Sequence, residues 1–91
     1  MRARRLAIVD EYTEDGRVAV YSEADMVVLL SELASVAWSV LGDGWTGAET
    51  VAAELVAVFG APDAQSDPLA MTEAALRTLA EHGIVELTEG D

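Results

Sequence analysis

Ser31, Ser35 and Ser39 recur every fourth residue, a spacing that stacks three hydroxyls on one face of a helix. A serine hydroxyl attacks a substrate only when a neighbouring base takes its proton. No base accompanies these three. His82 is the single histidine, and the chain has no cysteine. It falls in the last turn of an expected helix, where a cation favours the helix dipole. A capping or surface role is therefore expected for it. With one His and no Cys, a zinc site would need three carboxylates. The acids cluster at Asp10-Glu11, Glu14-Asp15 and Glu23–Asp25 but lack the spacing of a calcium loop. They read as solvated turns. No glycine-rich loop follows a strand, so there is no phosphate cradle. The expectation is a protein without catalysis of its own, without a metal and without a cofactor.

Composition narrows the class further. The 91 residues carry 17 acids against five arginines and no lysine, a net charge of −12. That charge opposes nucleic acid as a partner, because phosphate contacts dominate such affinity. The hydrophobic fraction of 52% is too high for a disordered chain. No apolar run approaches the ~18 residues that span a bilayer. The opening MRARRLAIVDEY turns acidic at Asp10, too soon for a signal peptide. A single cytoplasmic domain, with no membrane partner, is expected.

The elements must then position whatever binds. Leu6–Glu11 reads as a first strand, closed by a turn at Asp15-Gly16. Arg17–Tyr21 is a second, rich in β-branched residues. A polar turn, Ser22–Asp25, leads to a third, Met26–Leu30, whose unbroken apolar run requires cover on both faces or a partner. The period then changes. Leu33, Val36, Ala37, Val40 and Leu41 make a helical stripe with Trp38 nearby, Ser31 as N-cap and Gly42-Asp43-Gly44 as the stop. Thr46 and Glu49 have capping-box spacing for a second helix with Val51, Leu55, Val58 and Phe59 as its stripe. Gly60 ends it. Asp67 caps a third helix with Pro68 at its first position. Gly83 closes that helix with Ile84 folding back as in a Schellman motif. IVEL, from Ile84, adds a terminal extended segment. The layout is α+β: a three-stranded antiparallel β-meander over residues 6–30, then three helices over 31–82, like a winged helix-turn-helix.

On the third helix, Leu69, Thr72, Leu76, Leu79 and Ala80 share a core face. Glu73, Arg77 and Glu81 form a charged row at i, i+4 spacing. Met71, Ala75, Thr78 and His82 make a small, soft face that suits a packed ligand. The apolar third strand and this face are the two surfaces left unspent.

The order and spacing of these residues resemble the PqqD-like family, the peptide-recognition elements of ribosomal peptide (RiPP) natural-product pathways. The resemblance covers roughly residues 6–87. It rests on Ala34, Trp38 and Leu41 followed by Asp43-Gly44, on the threonine-initiated helix Thr46–Phe59, and on the closing series Leu76, Leu79, Gly83, Ile84 and Val85. It implies that the chain binds the leader segment of a precursor peptide and presents it to a modifying enzyme. The leader would add as a strand to Met26, Val27, Val28, Leu29 and Leu30 and pack on the side of Met71, Ala75, Thr78 and Leu79. A free-standing domain of this size also resembles the recognition proteins of lasso-peptide pathways, whose leader peptidase and cyclase are separate chains. Pathways built on radical enzymes use similar domains. The alternatives are an acidic winged-helix module for another protein partner, or a DNA-binding regulator. A carrier protein needs Asp before Ser, and this chain has Ser66-Asp67.

Overall fold

A computed structural model describes residues 1–89, and in it strands stand before, between and after the helices. The order is β1 (Arg2–Arg5), β2 (Ile8–Glu14), β3 (Arg17–Ser22), β4 (Val27–Leu29), α1 (Glu32–Val40), β5 (Thr46–Gly47), α2 (Ala48–Phe59), α3 (Pro68–Glu81) and β6 (Val85–Thr88). The fold is α+β. Its described strands form two three-stranded antiparallel sheets, β2-β3-β4 and β5-β1-β6.

The meander follows from its turns. Asp15 and Gly16 both take positive φ, 54° and 78°, as a two-residue hairpin that matches strand twist requires. The first strand is displaced from Leu6–Glu11 to Ile8–Glu14, with an irregularity between Ile8 and Asp10 that leaves Val9 exposed. The third is shortened to Val27–Leu29. Alternation sends Val18, Val20, Val28 and Leu30 into the core.

The second sheet corrects the expectation of three strands followed by three helices. Residues 2–5 form β1, which pairs with β6 from Arg2↔Thr88 to Arg5↔Val85 and with β5 through Arg2↔Gly47 and Ala3↔Thr46. Arg-Ala-Arg-Arg shows no apolar alternation, because only Ala3 is buried. Its partners lie far along the chain.

That sheet also displaces the expected capping box. Thr46 and Gly47 are held in β5, Gly47 is the N-cap of α2, and no side chain caps the helix. The Ala48 N–H bonds the Met1 carbonyl at 2.9 Å instead. The other boundaries form as their residues dictate. Ser31 accepts from the Ala34 N–H at 3.1 Å and Asp67 from the Leu69 N–H at 3.0 Å. Gly83, at φ 77°, sets up both Schellman bonds, Gly83 N–H to Ala80 C=O and Ile84 N–H to Leu79 C=O.

One core joins the helices to both sheets, and Trp38, Leu76, Leu79, Ile84, Val20 and Val51 are its largest fully buried side chains. On α3, Thr72, Leu76 and Leu79 are buried as the helical wheel requires. On α2 the buried face is Ala48, Val51, Ala52 and Leu55; Val58 and Phe59 are exposed, and Phe59 borders a cleft that α1 and α3 leave unfilled at that end. Arg5 binds the core's rim. Its Nε and Nη2 donate to the Trp38 carbonyl at 3.1 and 2.7 Å, and its guanidinium lies 4.2 Å from the centre of the Trp38 ring. Glu11 accepts from Arg5 Nη1 at 3.2 Å and from the Trp38 indole N–H at 2.8 Å.

The three serines serve structure. Ser31 caps α1, the buried Ser35 hydroxyl accepts from the Val18 N–H at 2.8 Å, and Ser39 donates to the Val36 carbonyl at 2.7 Å.

Urea denaturation tests this account. Leu76→Ala is expected to cost roughly 2–5 kcal/mol, since the side chain is enclosed. Thr46→Ala should stay within about 0.5 kcal/mol, below the ~1 kcal/mol of a lost side-chain cap. Glu11→Ala should cost on the order of 1 kcal/mol, because water reaches part of the site it vacates. A Thr46→Ala cost of a full cap would restore the capping box.

Candidate functional site

The edge of β4 is the surface best equipped to bind a chain. In β4 the register is Ala19↔Leu29, Val20↔Val28 and Tyr21↔Val27. The Leu30 N–H bonds the Val18 carbonyl, and the Met26 carbonyl accepts from the Ser22 N–H, each at 2.8 Å. The even-numbered residues therefore spend their backbone groups on β3. Val27 and Leu29 fall at the alternate positions and turn both N–H and C=O away from the sheet. Four groups at ladder spacing thus line an open edge.

Of the strand-side residues expected to bind peptide, Met26, Val27 and Leu29 are exposed, the last two at 67% and 61%. Val28 and Leu30 are buried, so their side chains belong to the core. On α3, Met71 and Thr78 are exposed, Ala75 is half-buried and Leu79 is buried. Thr78 Oγ1 donates to the Ala74 carbonyl at 3.1 Å.

An apolar cleft of about 230 Å³ includes one residue of this set. It opens between the start of α1, the end of α2 and the start of α3, lined by Leu33, Leu55, Val56, Phe59, Pro62 and Met71 among others. Leu33 stands three residues beyond Leu30, so the end of β4 leads toward the cleft. Met71 is the one residue of the expected set in its lining; Ala75 and Thr78 are not there. Sequence reasoning missed the roles of Leu33 and Phe59, which it placed on core stripes. No local pattern marks Phe59 as half exposed, because its apolar spacing matches that of the buried residues of α2.

Exposed acids, Glu23, Asp25 and Glu32, flank β4 in the chain. Arg4 pairs with Glu86 and lies 4.5 Å over the Trp45 ring, while Arg17 Nε donates to the Leu30 carbonyl at 3.0 Å. Arg77 makes no ion pair among the described residues, so the expected charged row on α3 does not close. No group of three or more His, Cys, Asp or Glu side chains among the described residues could hold a metal ion. None of the described helices is long and apolar enough to cross a membrane. His82 is the exposed C-cap residue of α3. Compared with protein-family models, with curated proteins and with solved structures, the chain gives no match.

Next to β4, the Tyr21 phenol donates to Asp25, whose φ of 66° folds the turn back toward it. That hydrogen bond first, and desolvation second, raise Tyr21 above its ordinary pKa of 10.0, because the carboxylate stabilises the protonated phenol. Replacing Asp25 with Asn should therefore lower the titration of Tyr21. Phenolate absorbance in a Tyr12→Phe background, where Tyr21 is the remaining tyrosine, reads it directly; an unmoved titration would leave the Tyr21–Asp25 bond without effect in solution.

Proposed function

We propose that this chain binds the leader segment of a ribosomally made precursor peptide by strand addition to β4, and presents the peptide to a modifying enzyme such as a leader peptidase or cyclase. The observation that carries the reading is the outward set of N–H and C=O groups on Val27 and Leu29. β-Augmentation draws affinity from such groups and specificity from pockets beside them. The edge lacks the usual defences against pairing, since Met26–Leu30 holds no charge and no proline. The cleft at Leu33 and Met71 supplies an apolar pocket beyond the end of the strand. The meander and three helices are read, within this proposal, as a winged helix used for peptide rather than DNA. A DNA-binding role draws no support from a net charge of −12 with Arg4, Arg5 and Arg17 engaged internally.

Proline at position 29 tests the edge. The Leu29 N–H points outward, so Leu29→Pro removes a docking donor and leaves the bonds to β3 in place. At Val28 the same change would break the meander itself. Leu29→Pro is expected to weaken binding of a labelled leader peptide at least about tenfold, from the lost bond and the ring's bulk along the edge. Fluorescence anisotropy measures this, with circular dichroism to verify the fold. A folded Leu29→Pro protein that binds its leader unchanged would remove β4 as the docking edge.

A further inference from the structure

The outer face of the meander is a second surface, distinct from its edge. Paired residues on neighbouring strands share a face. The register therefore sets Tyr12, Ala19 and Leu29 in one row and Asp10, Tyr21 and Val27 in the next, all opposite the side that holds Val18, Val20 and Val28. Tyr12, Tyr21, Val27 and Leu29 are all exposed, and no described element packs over them. Four large apolar side chains side by side make a patch, in contrast to the scattered exposed residues of an ordinary surface. Its border is acidic. Asp10 and Glu14 lie on the same face by register, and the turns at its two ends add Asp15, Glu23 and Asp25. The one basic residue of the meander, Arg17, shares this face by register but stands directly opposite Glu14, and its Nε is bound to the Leu30 carbonyl, so the acids outnumber it five to one around the patch.

We infer that this face docks a second protein whose surface carries lysine or arginine around exposed aliphatic side chains. Charge chooses the occupant. A second copy would bring its own acids against Asp10, Glu14 and Asp25, and the chain as a whole is at −12. A polyanion or an anionic membrane meets the same repulsion. A basic rim is attracted to the acids, while the apolar centre supplies the burial that holds the complex. This inference goes beyond the peptide reading and does not depend on it. The two are compatible, because a strand added at β4 extends this face and does not cover it.

The probe is an amphipathic helical peptide with a leucine stripe between two rows of lysine, which offers no strand edge. Its counterpart carries glutamate at every lysine position. Each is titrated into the full chain labelled with ¹⁵N. The lysine peptide is expected to move the amides of Tyr12, Ala19, Tyr21, Val27 and Leu29, with an affinity that falls as salt rises. The glutamate peptide should move none of them. Tyr12→Ser/Tyr21→Ser, which leaves the β4 edge intact, should weaken the lysine peptide at least about tenfold. Asp10→Asn/Glu14→Gln, which keeps the apolar centre, should flatten the salt dependence. The inference is overturned if the lysine peptide moves nothing, if it moves Val27 and Leu29 without Tyr12, or if its effects centre on Phe59 and Met71. It is overturned equally if the glutamate peptide binds as well. A free protein that sediments as a dimer, and becomes a monomer with Tyr12→Ser/Tyr21→Ser, would put a second copy on the face instead.

Discussion

Arg5, Glu11 and Trp38 form the junction on which the rest of the structure depends. Trp38 is the largest fully buried side chain, and its indole N–H must find an acceptor once out of water. Glu11 of β2 supplies it. Arg5, the last residue of β1, faces the indole ring, donates twice to the Trp38 carbonyl near the end of α1, and reaches Glu11 with its remaining amine. A planar guanidinium with several fixed donors can do all of this at once; a lysine ammonium cannot. The two sheets share no hydrogen-bonded strand. This cluster ties one to the other across the C-terminal end of α1, where a cation is also favoured by the helix dipole.

The same economy shapes the surface. Arg4, Arg5 and Arg17 hold the fold together by binding Glu86, Trp38 and the Leu30 carbonyl. Most acids have no such internal duty, so the exterior is negative. An uncharged edge at β4 and an apolar sheet face then stand out against an acidic surround. Surfaces of this kind are costly to leave open, because an unpaired strand edge invites association. The net charge opposes pairing between copies while leaving the edge available to a chain of different charge.

Both proposed surfaces follow from what packs against the meander. α1 covers its inner side, and Ser35 fastens that contact by accepting from the Val18 N–H. No described element reaches its outer side. β4, at the margin of the sheet, adds an edge to that open face. The cleft lies where the end of α2 meets the starts of α1 and α3 without closing, leaving Phe59 and Met71 partly uncovered.

Much of this was legible in the amino-acid sequence. The turn at Asp15-Gly16, the caps at Ser31 and Asp67, the Schellman close at Gly83-Ile84 and the core face of α3 are all as their residues require. Each depends on groups within about five positions of one another, so the chemistry that forms it is written locally. The apolar run Met26–Leu30 marked a strand with more apolar surface than the core could cover. Which of its residues face outward was decided by pairing with β3, since a shift of one position exchanges the two faces. Thr46 and Glu49 had the spacing of a capping box, yet β1 drew Thr46 into a sheet, and the Met1 carbonyl took one of the helix's free donors, the Ala48 N–H. Val58 and Phe59 continued the stripe of α2, but α1 and α3 leave a cleft open at that end. The pairing of Arg2–Arg5 with Val85–Thr88, and the Arg5–Glu11–Trp38 junction it positions, join residues distant in the chain. No local pattern encodes such contacts; they exist only once the core has closed and brought their strands together.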